Sequence, residues 1–174
     1  MLQPAYLYKD ELYKYKCKFA LDERYKYFDC SSSMSFTIDT DDSSWNKIQL
    51  VSIDKDNNPV GYFQANIDRA AYNVSSLKIA NLTPTANFTF AKDLQQFFLD
   101  LFNKYNFNKI NFVVVIGNPA EAMYDKLVSN YGGRVVGVYK NDQKLWDGQI
   151  YDLKAYEILK EEFCIFGYKD KIIN

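Results

Sequence analysis

Residues 110–133, INFVVVIGNPAEAMYDKLVSNYGG, constrain the fold more than any other stretch. They open on an apolar run, Ile110, Phe112, Val113, Val114, Val115 and Ile116, which reads as a strand inside a sheet with helices over both faces. Gly117-Asn118-Pro119 then ends the strand, because proline donates nothing to a ladder and its fixed φ suits the first turn of a helix. Ala120, Met123, Tyr124, Leu127, Val128 and Tyr131 follow at helical spacing on one face, and Gly132-Gly133 supplies the stop. A strand that feeds a helix through a tight polar turn puts that turn at its carboxyl end, where open α/β sheets bind ligands.

The preceding segment tells how this strand is reached. Leu94, Phe97, Phe98, Leu101, Phe102 and Tyr105 form a helical stripe, with Gln95, Gln96, Asp100, Asn103 and Lys104 opposite. Before it, strands are expected over 48–53, 60–67 and 74–82, the first two joined by Asp54-Lys55-Asp56-Asn57-Asn58-Pro59. In the second of these, Gly61, Phe63, Ala65 and Ile67 share a face. An antiparallel meander, a crossover helix and a strand parallel to the meander's last make a right-handed βαβ unit. The loop over 83–90 then opens at the same sheet edge as Asn118.

The ends of the chain are read less directly. A short strand over 5–7 and a helix over 10–21 are expected, since Asp10 and Glu11 suit a helix start and the later lysines its end. Residues 30–44 form a polar loop. A strand over 134–139, turns at 141–144 and 147–148, and a strand over 149–159 read as a closing hairpin. An aromatic tail over 161–174 is expected to pack back on the sheet.

With 174 residues the chain reads as one domain, with a helical region at 1–30, a core at 45–163 and a tail at 164–174. Its net charge of −1, with both signs interspersed, gives no footprint for nucleic acid. No apolar run has membrane length and Met1-Leu2-Gln3-Pro4 leads straight into charged sequence, so a cytoplasmic protein is expected. Cys17, Cys30 and Cys164 lack paired spacing and read as core thiols. No cluster has metal-ligand spacing, and without any histidine there is no Ser-His or Cys-His pair for covalent catalysis.

Two segments carry a family resemblance. Gly117-Asn118-Pro119-Ala120-Glu121-Ala122-Met123-Tyr124-Asp125-Lys126-Leu127, followed by Gly132-Gly133-Arg134-Val135-Val136-Gly137, resembles the Asn-(Pro)-x-Ala/Ser…Leu-Tyr-Glu-Lys-Leu-Gly-Phe…Val-Gly segment of the GCN5-related N-acetyltransferase (GNAT) superfamily. Asp147-Gly148-Gln149-Ile150-Tyr151-Asp152 is similar to that superfamily's Asp-Gly-x-Tyr-x-Asp. The resemblance implies an α/β (α+β) fold with a central mixed sheet of six to seven strands flanked by helices. It also implies an N-acetyltransferase that takes acetyl-CoA and transfers the acetyl group to an amine by direct attack. It implies Tyr124 as the general acid and contacts to the acyl donor from Ile79, Asn81, Leu82, Phe90, Ala91, Lys92 and Asn118. A base must also take the amine's proton, and Asp68 is the first choice with Glu157 second.

The sequence departs from that pattern where the acyl-CoA signature should fall. Residues 82–93, LTPTANFTFAKD, contain no glycine, whereas the family's glycines let amides at a helix start approach the pyrophosphate. Amides of Ala91, Lys92 and Asp93, with the Lys92 charge, are the expected substitutes, and Phe88 or Phe90 are the side chains that would block the cleft. The alternative is a GNAT-like fold without catalysis that serves as a protein-binding or assembly module, to which the aromatic excess of 15 Tyr and 13 Phe is suited. The expected partner is a small-molecule or peptide amine, with no metal; a homodimer through the aromatic tail is compatible with either reading.

Overall fold

The computed structural model describes residues 1–19, 22–27 and 45–163, without the side chains of 16–19 and 24. The loop at 30–44, Cys30, Cys164, the Cys17 side chain and the tail beyond 163 lie outside the described residues. The elements are β1 (Leu2–Pro4), α1 (Lys9–Phe19), β2 (Lys47–Ile53), β3 (Pro59–Asp68), β4 (Asn73–Asn81), α2 (Phe88–Asn103), β5 (Lys109–Val115), α3 (Glu121–Tyr131), β6 (Arg134–Lys144) and β7 (Ile150–Leu159). They form a seven-stranded sheet in the order β1-β2-β3-β4-β5-β7-β6, in which only β4 and β5 are parallel.

Alternation along β3 sorts its side chains between two cores. Phe63, Ala65 and Ile67 pack with α2 and α3, joined by Phe97, Phe98, Leu101 and Phe102. Tyr62 faces the other way, into a second cluster with Leu12 of α1, Val51, Ala80 and Leu82. The α2 stripe is buried as its spacing requires, and Asn87 caps the helix by accepting the Phe90 amide at 3.0 Å. Phe90 itself lies over Gly61 and stacks on Phe63, with ring centroids 5.4 Å apart and planes 11° from parallel. A Cβ on Gly61 would lie 2.3 Å from the Phe90 ring, so this strand glycine is what lets the helix start sit so close.

Several expectations are corrected. The strand expected at 5–7 falls at Leu2–Pro4, which pairs with Leu50–Ser52, and Ala5–Tyr8 coils into a 3₁₀ turn that tucks Ala5 into the second core. Residues 141–144 are not a turn. They belong to β6, whose register slips between Tyr139 and Gln143, with Asn141 at φ 51° and its amide donating to Asp152 at 2.9 Å. The reversal comes later, where Gly148 at φ 81° donates to Leu145. β5 is covered by helices on one face only among the described residues: Ile110, Phe112 and Val114 are buried under α2 and α3, while Val113 is 47% exposed.

Candidate functional site

β4 and β5 start as neighbours and then part. Only Asn73 with Lys109 and Val74 with Ile110 are paired, so the carboxyl ends of both strands diverge and leave a split in the sheet. The βαβ unit alone does not require a split, since parallel strands joined by a crossover can stay hydrogen-bonded throughout; the parting is set by tertiary packing and has no signature in either strand. A cavity of about 670 Å³ lies between the first half of α2 and one side of α3. Asn81, Ala91 and Lys92 line one wall and Met123, Lys126 and Leu127 the other. Phe98 and Phe163 also border it.

The glycine-free loop leaves this groove open. Phe88 and Phe90 both border it, but Phe88 is 86% exposed and Phe90 is stacked on Phe63, so neither ring fills the groove. Asn81 holds the loop's shape, its side chain accepting from Thr83 and donating to the Thr85 carbonyl at 3.0 Å. The donors differ from expectation. The Ala91 amide is already bonded to Asn87 O at 3.0 Å and Lys92 and Asp93 lie deeper in the helix, whereas no described group accepts from the Phe88 or Thr89 amides. These two point out of the positive end of a 16-residue helix. Neither Lys92 nor Lys126 forms an ion pair among the described residues.

The helix read as one apolar face divides its residues between two tasks. Tyr124 and Val128 enter the core, while Met123, Leu127 and Tyr131 line the groove. Tyr124 packs on Phe112 at 5.2 Å and near Tyr156 at 6.2 Å, and burial pushes its phenol well above the ordinary range. It does not line the cavity. Around it Lys154 reaches Glu121 at 3.2 Å and Asp125 at 2.7 Å, and the Tyr156 hydroxyl donates to Asp125 at 2.9 Å.

This cluster clamps α3 to β7 and predicts a pH effect. The Lys154 hydrogen bond, followed by that from Tyr156, holds the Asp125 carboxyl below its usual range. A depressed carboxylate contributes stability above its unfolded pKa of about 3.9 and loses it as pH falls through the lower folded value. Lys154→Met should therefore flatten the acid limb of urea midpoints measured between about pH 2 and pH 5. An unchanged acid limb would remove the cluster from the stability of α3.

The remaining candidates are scattered. Asp68 is paired opposite Asn73, whereas Asn81 at the groove is eight residues along β4, roughly 26 Å at ~3.3 Å per residue. Its carboxylate accepts the Ala71 amide at 3.0 Å, so it shapes a turn and is not brought to the groove. Glu157 is held by Arg134 at 2.7 Å and Lys109 at 3.4 Å, which keep it ionised and engaged. Asn118 caps its own turn by accepting the Ala120 amide at 2.9 Å, and Leu82 is buried in the second core. Ile79 is partly buried against the main core. Lys126, Asn130 and the groove side of α3 were missed in the sequence because polar residues on an amphipathic helix look alike whether they face solvent or a cleft.

No protein-family model and no curated protein matches the sequence. Solved structures do. A chimera of the Vibrio cholerae spermidine N-acetyltransferase SpeG with hSSAT aligns at a TM-score of 0.59 and 22% identity, over 69% of this chain and 73% of that one. The spermidine/spermine N-acetyltransferase SpeG from Vibrio cholerae, in complex with manganese ions, aligns at 0.59 and 21% identity, over 74% and 71%. In this chain no group of three or more His, Cys, Asp or Glu among the described residues could hold a metal. The seven-stranded mixed sheet, its single parallel pair split at the carboxyl ends, and these likenesses together give the chain the fold of the GNAT superfamily.

Proposed function

We propose that the chain is an N-acetyltransferase that takes acetyl-CoA in the groove between α2 and α3 and transfers the acetyl group directly to a small amine. The observation that carries this reading is the split between β4 and β5 opening beside a groove with two lysines that form no ion pair among the described residues. The residues present fit the cofactor. Lys92 and Lys126 face each other across the groove as ligands for phosphates, and the Phe88 and Thr89 amides add the anion-binding end of a helix. Acetyl-CoA, when bound, supplies an activated thioester. Burial keeps Tyr124 protonated, and it is the proton donor proposed for the leaving sulfur. Direct attack is favoured because the chain has no histidine to activate a serine or cysteine. A small amine acceptor agrees with the spermidine named for the neighbouring structures.

Acetyl-CoA should raise the melting temperature of the protein, by about 2.7 kcal/mol of added stability at a hundred times its Kd. Unchanged melting curves at millimolar acetyl-CoA would end this reading. Tyr124→Phe should lower turnover and leave that melting shift intact, and a fully active variant would exclude Tyr124 from the chemistry.

One observation favours a second reading, a module that binds acyl-CoA without turning it over. Tyr124 is buried away from the groove and no acidic side chain lines it among the described residues. An acetyl-CoA melting shift without thiol release across a panel of primary amines would establish that reading in place of the first.

A further inference from the structure

On the face of the sheet opposite the α2–α3 groove, an ammonium group already sits in a cage. The Lys26 Nζ lies 4.8 Å from the centroid of Tyr27, 5.8 Å from that of Tyr151 and 3.6 Å from Asp147 Oδ2. The two rings meet edge to face, with centroids 6.1 Å apart and planes at 82°. The carboxylate is oriented without help from the lysine: Tyr151 donates its hydroxyl to Oδ2 at 2.7 Å and the Gln149 amide donates to Oδ1 at 2.9 Å. Those two hydrogen bonds hold Asp147 below its usual range, so it is a fixed anion. Two aromatic faces and a positioned carboxylate are the elements of alkylammonium recognition.

The cage is built on rigid structure and in a telling place. Tyr27 and Tyr151 rest on Val115, Leu145 and Leu153, so the floor is the last residue of β5 and the base of the β6–β7 hairpin. The Tyr27 hydroxyl lies 3.8 Å from where a Cβ on Gly117 would stand, at the turn that follows β5. Val115 pairs with Leu153 on the face away from α2, so the cage and the groove lie on opposite faces of the sheet, both toward the carboxyl end of β5. The Asp147-Gly148 turn that forms it belongs to the second sequence motif, to which the acyl-donor groove assigns no task.

We propose that Tyr27, Tyr151 and Asp147 are the subsite for the charged end of an acceptor that carries a second ammonium, and that Lys26 is a tethered occupant which this acceptor displaces. The proposal rests on the acetyltransferase reading above for the fate of the acceptor's other amine, but not for the binding itself. An amine to be acetylated must reach the split uncharged, so a cation cage beside the split serves a different nitrogen of the same molecule. Substrates are then diamines or amines with a cationic side arm. Monoamines of equal length lack the anchor.

The test is titration calorimetry of the full chain with 1,6-diaminohexane, and with 1,6-hexanediol as the uncharged equivalent. Lys26→Met should bind the diamine at least tenfold more tightly than the parent chain, because the competing ammonium is gone, and should not bind the diol. Adding Asp147→Asn to Lys26→Met should reverse that gain. Tyr151→Phe in the Lys26→Met background keeps the ring and frees the carboxylate from one hydrogen bond, and should reverse part of it. Equal diamine affinity in the parent and Lys26→Met chains, or a gain that survives Asp147→Asn, would overturn the proposal. Acetyl-CoA melting shifts of the parent chain are read separately. A parent that responds to acetyl-CoA while the cage variants leave diamine affinity unchanged refutes the cage alone, and the converse result refutes the acyl-CoA site alone.

Discussion

Phe90→Ala is expected to lower stability by about 3–5 kcal/mol, the range for emptying a well-packed aromatic site. For a domain of this size that corresponds to a fall in melting temperature of roughly 6–20 °C. The ring is flat against Phe63 and fills the space that Gly61 leaves, so no neighbouring side chain can collapse into the void without moving β3 or α2. Gly61→Ala attacks the same contact from the other side, since its Cβ would lie 2.3 Å from the ring and would push the phenyl off its stack on Phe63 toward the groove that it borders. The two changes should couple. Gly61→Ala with Phe90→Leu should cost less than the sum of the single changes, because the smaller side chain vacates room for the new methyl. Since Phe90 sits in the first turn of α2, its loss should also blunt the melting response to acetyl-CoA by loosening the rim that carries the Phe88 and Thr89 amides. Guanidinium unfolding of the single and double variants measures the stability changes, and thermal melts with acetyl-CoA the ligand response; a Phe90→Ala loss below about 1 kcal/mol would show that the helix start is not anchored through this ring.

That contact also explains what could and could not be read from the sequence. The alternation Phe63, Ala65, Ile67 and the stripe from Leu94 to Phe102 named the main core correctly, because period-two and period-3.6 burial are local properties. The family pattern places its glycines within 82–93, whereas the glycine that allows the helix start to pack closely stands on a strand 29 residues before Phe90, at Gly61. Pairing across such a separation depends on register, which no window of sequence carries. The same holds for Asp68, chemically suitable but one strand length from the groove, and for the α3 face, where a single apolar stripe serves a core and a cleft wall at once. Asn141 misled for a more local reason: an asparagine with positive φ serves a bulge as well as a turn. The cage at Lys26 joins residues some 120 positions apart, and only the Asp147-Gly148 motif hinted at one side of it.

Reversing both groove lysines, Lys92→Glu with Lys126→Glu, is expected to weaken acetyl-CoA binding by about 100-fold or more. A hydrogen bond to a charged group contributes about 1.5–3 kcal/mol, and the loss of two such contacts exceeds the ~2.7 kcal/mol that corresponds to 100-fold. Both side chains are exposed at the groove and neither has an ion-pair partner among the described residues, so the fold has little to lose from the exchange. The melting temperature without ligand should stay within a few degrees of the parent, which separates lost affinity from lost structure. Single reversals should show intermediate affinities, and the parent's affinity should fall with added salt while that of the double variant changes little, because screening acts on the attraction that has been removed. Calorimetric titration with acetyl-CoA and with CoA distinguishes the roles of the two ends of the molecule. Equal weakening for both ligands places the lysines on the shared nucleotide and phosphates, whereas undiminished affinity in the double variant would move the acyl donor out of the α2–α3 groove altogether.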